Sequence, residues 1–495
     1  MSLDSRTPVL VGVGVADRRC EDPREALEPS ELMIAALAAA EADAGARGLL
    51  AAADSVHVPR GFWDYSDPGR LLADHFGASG ARSVLAEIGV LQQTLLNGAC
   101  CAIASGEEEI AIVTGGDARY RSQRAEIAGI PQSDTSQTDV KPDVVLQPSA
   151  ALWSPVESDR GLMMPAQYFT VMESAMRFEE GLSIDAHRDR IALLWSRMSE
   201  VAAANPHARH REAVSVEAIR NPSERNPMIA FPYTKMHNSD WNVDQAAALI
   251  FCSVAKARAL GIPEARWVYP LSGTEANQMV DLSARARMHR CPGIEIAGAR
   301  ALELAGRRID SVEHFDLYSC FPAAVQLFAR ELGIGLERPL SVTGGMRFAG
   351  GPLNNYVLQA VARMAEVLRD DPGSTGLVTS VSGFLTKQGI GVWSTDAPAR
   401  NFRFADVTAE VTDATETREL VAAPEGPARV AGYTVLYLGP NPAKVIAVCD
   451  LPSGDRSVAS SDDPEFARAW TLEEYVGREV AIGPESEMSP GANAR

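Results

Sequence analysis

The sequence lacks the marks of several protein classes. Its seven cysteines are odd in number, and no two form a C-x-x-C pair. That scatter argues against a disulfide scaffold and a zinc site, and it predicts a reducing cytoplasmic setting. The eight histidines show no metal-ligand spacing, so no metal is expected. His207 and His210 lie in a polar, Arg-rich stretch and are expected to be solvated. Positive charge is scarce: 46 Lys and Arg stand against 65 Asp and Glu, a net charge of −19. Such a balance disfavours nucleic acid as a partner. No apolar run is long enough to span a bilayer. The opening Met1-Ser2-Leu3-Asp4-Ser5-Arg6 has no signal-peptide character before Val9-Leu10-Val11.

What is present is ordinary globular composition, 46% hydrophobic over 495 residues, enough for roughly three domains. One stretch organises the rest: Phe315-Asp316-Leu317-Tyr318-Ser319-Cys320-Phe321, running into Pro322. Val312, Phe315 and Leu317 predict a buried strand. Pro322 suits a first helical position, and Val325, Phe328, Ala329 and Leu332 recur at helical spacing. Cys320 is thus placed near a positive helix start, which lowers a thiol pKa. A buried structural cysteine is the alternative.

Residues 30–44 read as an Ala-rich helix capped by Ser30 and stopped at Gly45, followed by a strand at 53–58. Before it, Val9 to Val15 reads as a strand opening into a turn at Gly12 and Gly14; no third glycine follows at dinucleotide-fold spacing. The unit returns at 294–306 and 309–314, with Asp-Ser-Val shared between the copies. A second echo links Gly89, the helix to Gly106 and the strand 110–113 with Gly350-Gly351-Pro352, its helix and the strand 377–381. Two copies of a β/α unit predict a pseudo-twofold core with sheets covered on both faces. Between them, residues 119–235 form a long excursion with a helix near 186–201, read as an inserted lid or binding subdomain. Its arginines could meet a phosphorylated ligand or simply form a solvated face. After residue 400, short alternating strands at 430–437, 444–451 and 476–482 predict a small β-barrel with a polar, disordered tail.

The duplicated core, the insertion and the glycine turns resemble the thiolase superfamily over about residues 5–400. Asn238-Ser239-Asp240-Trp241-Asn242-Val243-Asp244-Gln245-Ala246-Ala247-Ala248 resembles the thiolase Asn-x-Ser-x-x-Asn-Asp-Gly-Ala-Ala-Ala segment. Tyr318-Ser319-Cys320-Phe321 resembles the His-Asp-Cys-Phe loop of sterol-carrier-type thiolases, and Gly350-Gly351-Pro352 the Gly-His-Pro turn. The C-terminal barrel resembles the OB-like domain of type 1 thiolase-like proteins. The resemblance implies a duplicated five-layer α-β-α-β-α thiolase fold. Its parts would be an N-terminal half (5–118 and 236–262), a loop domain (119–235), a C-terminal half (263–400), an OB-like barrel (401–486) and a disordered tail (487–495). It also implies an acyl-CoA or lipid-derived ligand, no covalently bound cofactor, and membership of the acetyl-CoA acetyltransferase-like acyltransferases of lipid metabolism. Thiolases are usually dimers or tetramers built on an edge strand. A barrel covering that edge would leave a monomer, and a barrel could also meet a protein partner.

The departures from that pattern bear on activity. The nucleophilic Cys of thiolases falls here near Ile88-Gly89, where no Cys stands; Cys100 and Cys101 lie deeper in the helix, as core. Gly351 replaces the catalytic His, Tyr318 the loop His, and Ser380 the second catalytic Cys. Losing one member of a nucleophile–base pair costs on the order of 10⁴–10⁶ in rate. An oxyanion donor is worth ~10²–10³ more. Classical thiolysis is therefore expected to be weak or absent. Gly89, Gly350, Gly351, Ser380, His237 and Asn238 are the expected ligand-binding positions, with His237 able to titrate near neutral pH; for the glycines the alternative is plain turn chemistry, and for His237 a satisfied core histidine. Cys320 and Tyr318 are the candidate catalytic residues. Three readings stay open: an altered acyl-CoA-handling enzyme, a retro-aldol lyase using Tyr318, and a non-catalytic CoA or lipid binder.

Overall fold

The computed structural model describes residues 3–151 and 153–491. The chain begins with β1 (Pro8–Asp17), α1 (Pro29–Ala44), β2 (Ser55–Pro59), α2 (Pro68–Phe76), β3 (Arg82–Ala86), α3 (Gln92–Ser105) and β4 (Ile110–Ala118). The excursion follows, with α4 (Arg119–Ala128), β5 (Val144–Leu146), α5 (Pro155–Ser158), α6 (Pro165–Glu179), α7 (Ile184–Ala204), α8 (Val216–Arg220), β6 (Met228–Ala230) and β7 (Tyr233–Thr234). Next come β8 (Asp244–Ser253), α9 (Val254–Ala259), β9 (Tyr269–Ala276), α10 (Pro292–Ala305), β10 (His314–Asp316) and α11 (Pro322–Leu332). After them stand α12 (Gly345–Phe348), α13 (Tyr356–Asp370), β11 (Thr375–Ser382) and β12 (Lys387–Ser394). The last part holds β13 (Arg403–Asp406), α14 (Thr408–Ala414), β14 (Gly426–Leu438), β15 (Asn441–Asp450), β16 (Arg456–Ser461), α15 (Pro464–Ala469), β17 (Glu479–Ile482) and β18 (Met488–Pro490).

The duplication is visible in the sheets. The first has the order β1-β8-β4-β2-β3-β5, the second β10-β11-β12-β9-β13. Along β2-β4-β8-β1 the pairings are parallel, antiparallel, antiparallel. Along β10-β11-β12-β9 they repeat in the same sequence. The first sheet carries α1 on its outer face, and the second carries α10. Between the sheets lie α3 and α13, each touching strands of both. This is the five-layer arrangement. It explains why β8 reads as an unbroken apolar run: Ala246 to Phe251 are wholly buried, because helices cover both faces.

Gly12 and Gly14 do not open a turn. A Cβ there would sit 2.2 Å from the Ala40 carbonyl oxygen and 2.1 Å from that of Ala36. They let α1 settle on β1, which runs on to Asp17. The edge of β3 is covered, but by β5 from the excursion, in parallel pairing, and not by the barrel.

The third sheet runs β16-β15-β14-β17-β18, and β6 and β7 of the excursion extend it through a pairing of Leu436 with Ala230. A bridge between Ser460 and Glu487 brings the two edges together and curls it into a small antiparallel barrel. The segment expected to be disordered from residue 487 is ordered up to Gly491. Met488 is buried in the barrel core and fixes β18 against Ile482 of β17. Residues 492–495 of that expected tail lie outside the described residues.

Candidate active site

The starts of α3 and α13 face one another in the central layer. Gln92, the first residue of α3, accepts a hydrogen bond from the Val357 N–H of α13 at 2.8 Å and donates to Asn354 Oδ1 at 3.4 Å. Each helix start is preceded by a glycine in the left-handed region, Gly89 (φ 103°) and Gly350 (φ 104°). The Gly89 carbonyl accepts from Lys387 Nζ at 2.9 Å. Lys387 is 1% exposed. Burial pulls its amine below the usual lysine range, against the opposing charge of Glu275. Glu275 is itself buried, raised by that burial, and bound to Thr94 Oγ1 of α3. Sequence reading missed this pair. The signal was a Lys and a Glu in strands otherwise free of charge.

The β10–α11 connection approaches from the other sheet. Asp316 is buried and accepts bonds from Tyr356 Oη (2.9 Å), Ser341 Oγ (2.8 Å), Thr343 Oγ1 (2.9 Å) and the N–H groups of Val342 and Thr343 (both 3.1 Å). It thus ties the 341–346 loop to the first residue of α13. Burial raises its carboxyl despite these donors. Tyr318 donates its N–H to Thr379 Oγ1 at 2.7 Å, next to Ser380. Its ring stands edge-on to Tyr356 at 5.8 Å. Its hydroxyl has no hydrogen-bond partner among the described residues, and burial raises its pKa.

The Asn238 segment closes the group. Ser239 Oγ donates to the Cys320 carbonyl at 2.9 Å, and Gly351 N–H donates to the Asp240 carbonyl at 2.8 Å. Asn238 itself donates to the Thr234 carbonyl and fixes the turn (2.7 Å). At Gly350 a Cβ would lie 2.2 Å from Gln245 Oε1, whereas at Gly351 the nearest atom, Met346 Cε, would be 3.3 Å away. Several buried polar atoms of this layer have no partner: Ser380 Oγ, Gln93 Oε1, Asn97 Nδ2 and both amide atoms of Asn355. Such atoms are rare in native interiors and call for a ligand or bound water.

Two expectations are corrected. Cys320 does precede a helix with Pro322 first, but its thiol is pushed up, not down. Burial outweighs the N–H groups of Phe321 and Cys320; the Phe321 ring next to it stacks on Phe169 (4.6 Å) and Tyr233 (5.9 Å). His237 does not titrate near neutral pH: burial pulls it to about 3. It stacks on Tyr233 and accepts from the Thr234 N–H at 3.2 Å, on the insertion side. The solvated His207 and His210 turn out to be paired, with Glu366 (2.8 Å) and Asp240 (2.7 Å). Of the two cysteines expected in the core of α3, Cys100 is buried and Cys101 is partly exposed.

No family model matches the chain. No curated protein matches it either. Solved structures do. A monomeric SCP2-thiolase-like protein type 1 from Mycobacterium smegmatis is 28% identical, with a TM-score of 0.83 over 99% of this chain and 100% of that one. The Ltp2-ChsH2(DUF35) aldolase is 17% identical, with a TM-score of 0.60 over 80% of this chain and 99% of that one. The acetyl-CoA acetyltransferase of Syntrophomonas wolfei is 18% identical, with a TM-score of 0.56 over 79% of this chain and 100% of that one. At those identities the last two speak to fold alone. Duplicated sheets, facing helix starts and full-length similarity to the first of these structures together show that this chain has the thiolase-like fold.

Proposed function

We propose that the chain binds an acyl thioester, of the coenzyme A type with a lipid-derived acyl group, between the starts of α3 and α13, and that it forms no acyl-enzyme there. The carrying observation is the set of partnerless buried atoms at Ser380, Gln93, Asn97 and Asn355 beside a Gly89 position that holds no nucleophile. Backbone N–H groups at the two helix starts suit a thioester oxygen. Gly351 stands where thiolases hold a catalytic imidazole, and it supplies no base. Cys320 keeps its proton, so it is a poor nucleophile. The odd number and scatter of the seven cysteines suit a cytoplasmic, reducing setting. Intact-protein mass after incubation with acetyl-CoA and acetoacetyl-CoA, with melting curves in parallel, tests this. The expected result is a raised melting temperature and no adduct. A stoichiometric acyl group on Cys320 refutes the reading.

A second reading rests on Tyr318. Its unpartnered hydroxyl, held protonated by burial, suits a proton donor. In a retro-aldol cleavage of a β-hydroxyacyl thioester, the β-hydroxyl gives its proton to solvent water, the Cα–Cβ bond breaks, and an aldehyde or ketone leaves. The bond's electron pair becomes the thioester enolate, which takes the Tyr318 proton at carbon, and water then returns a proton to the tyrosinate. Tyr318→Phe is then expected to lower turnover by ~10²–10⁴ while leaving thioester binding intact. Turnover unchanged in that variant removes Tyr318 from the chemistry. No turnover in the native chain leaves binding as the function.

A further inference from the structure

A small cleft, open to solvent, lies at the start of α10. It is separate from the site above. On β12, Gly389 and Gly391 face Gln93 of α3, while Gln388 faces Gly293 of α10. The cavity is therefore on the outer face of the second sheet, and the candidate active site is on the inner face.

Its charge is unbalanced. Arg285 is 7% exposed and donates only to two carbonyls, those of Phe384 (2.6 Å) and Leu385 (3.2 Å). No carboxylate lies within ion-pair distance of it among the described residues. Glu157 and Asp281 act on it only from farther away, and Glu157 is engaged with Ser283 at 2.8 Å. A buried guanidinium without a counterion is costly, by several kcal/mol even after relaxation. Arg287, exposed on the same wall, pairs with no group among the described residues. Arg290 is neutralised by Glu331 in a two-pronged pair (2.8 and 2.7 Å), and Glu416 sits at the exposed rim. Gln388, 1% exposed, donates to Cys291 Sγ (3.2 Å) and the Leu385 carbonyl (3.0 Å), which leaves its Oε1 without a donor.

Two cations short of an anion, beside a buried acceptor short of a donor, define a ligand. We infer that this cavity binds a small hydroxylated organic anion. Arg285 and Arg287 take its carboxylate or phosphate oxygens, and Gln388 Oε1 accepts from its hydroxyl. The inference does not depend on the acyl-thioester reading, since the two sites lie on opposite faces of one sheet.

Titration calorimetry on the full chain, at constant ionic strength set with chloride, tests it. The probes are glycerol 3-phosphate, glycerate and inorganic phosphate. Saturable binding of glycerol 3-phosphate or glycerate is expected, and whichever binds tighter identifies the anionic group. Arg287→Ala, at an exposed and unpaired side chain, should keep the fold and weaken binding at least about 10-fold. Gln388→Leu should abolish the preference for glycerol 3-phosphate over inorganic phosphate. Heats no larger than those of chloride overturn the inference. So does an Arg287→Ala protein that binds like the native chain.

Discussion

Replacing Glu173 by Gln should destabilise the insertion and loosen the start of α11. Glu173 of α6 is wholly buried and accepts from His187 Nε2 (2.6 Å), Tyr233 Oη (2.7 Å) and Gln326 Nε2 (2.9 Å). Arg190 donates to His187 Nδ1 at 3.1 Å, so the Nε2–H is the one aimed at the carboxylate. Burial alone would raise this carboxyl; the His187 ring, the Tyr233 hydroxyl and the Arg190 charge outweigh it and hold it below the usual range. An amide in its place turns an NH₂ toward one of three donors and orphans it. Breaking a buried, hydrogen-bonded charge network of this kind costs about 3–5 kcal/mol. At ~2 kcal/mol per molar urea, the midpoint should fall by about 2 M. Trp195 of α7, buried and 6.5 Å from His237, reports the transition by fluorescence. The pH dependence has a definite sign. A depressed carboxyl stabilises above its unfolded pKa of 4.5 and loses that stabilisation as pH falls through the folded value. The variant should be weaker at pH 7 and should lose less on acidification. Tyr233 Oη also accepts from the Ala323 N–H at 3.1 Å, so the first turn of α11 should exchange its amides faster. A midpoint within about 0.3 M of the native value would refute the reasoning.

Three further outcomes are expected. Gly350→Ala combines a left-handed φ with a Cβ 2.2 Å from Gln245 Oε1 and should cost at least ~2 kcal/mol, whereas Gly351→Ala should stay within about 1 kcal/mol; parallel thermal melts decide it. Iodoacetamide at pH 7.5, followed by peptide mapping, should label Cys320 at least ~10-fold more slowly than a free cysteine peptide, and equal rates would contradict its raised pKa. His57, pulled to about 4 by burial and by the Arg82 charge, and His237, pulled to about 3, should both stay neutral by nitrogen-detected NMR down to pH 5. Unfolded, both rings bind protons below about pH 6.5, so each opposes folding on acidification by up to about 1.4 kcal/mol per pH unit.

Local features were legible in the sequence because their causes are local. Pro322 opens α11 because its ring fits a first turn, and the helix–glycine–strand units recur because each copy solves the same packing problem. Chemistry set by distant neighbours was not. Cys320 stands at a helix start, yet burial, completed by a fold that stacks Phe169 and Tyr233 of the insertion on the neighbouring Phe321, raises its pKa. Lys387 reads as one residue of a strand until Gly89, nearly 300 residues earlier in the chain, supplies its acceptor. His237 looked titratable beside the Asn238 segment; its burial against Tyr233 depends on how the insertion folds back. The tail read as polar because Met488 is its single buried side chain among the described residues from 487 on.

The joining of the insertion to the barrel has a consequence for synthesis. Thr170 bonds Thr434 at 2.7 Å, Ser174 accepts from the Tyr433 N–H at 2.8 Å, and Arg177 grips Glu474 at 2.7 Å, so α6 faces partners encoded far downstream. Roughly 250 residues separate the end of α6 from the start of β14. At ~5–20 residues per second, a ribosome needs roughly 12–50 s to cover that distance. Throughout that interval the α6 face that receives β14 lacks its strand. A chaperone that recognises such faces has its window there, and it closes when the barrel strands emerge.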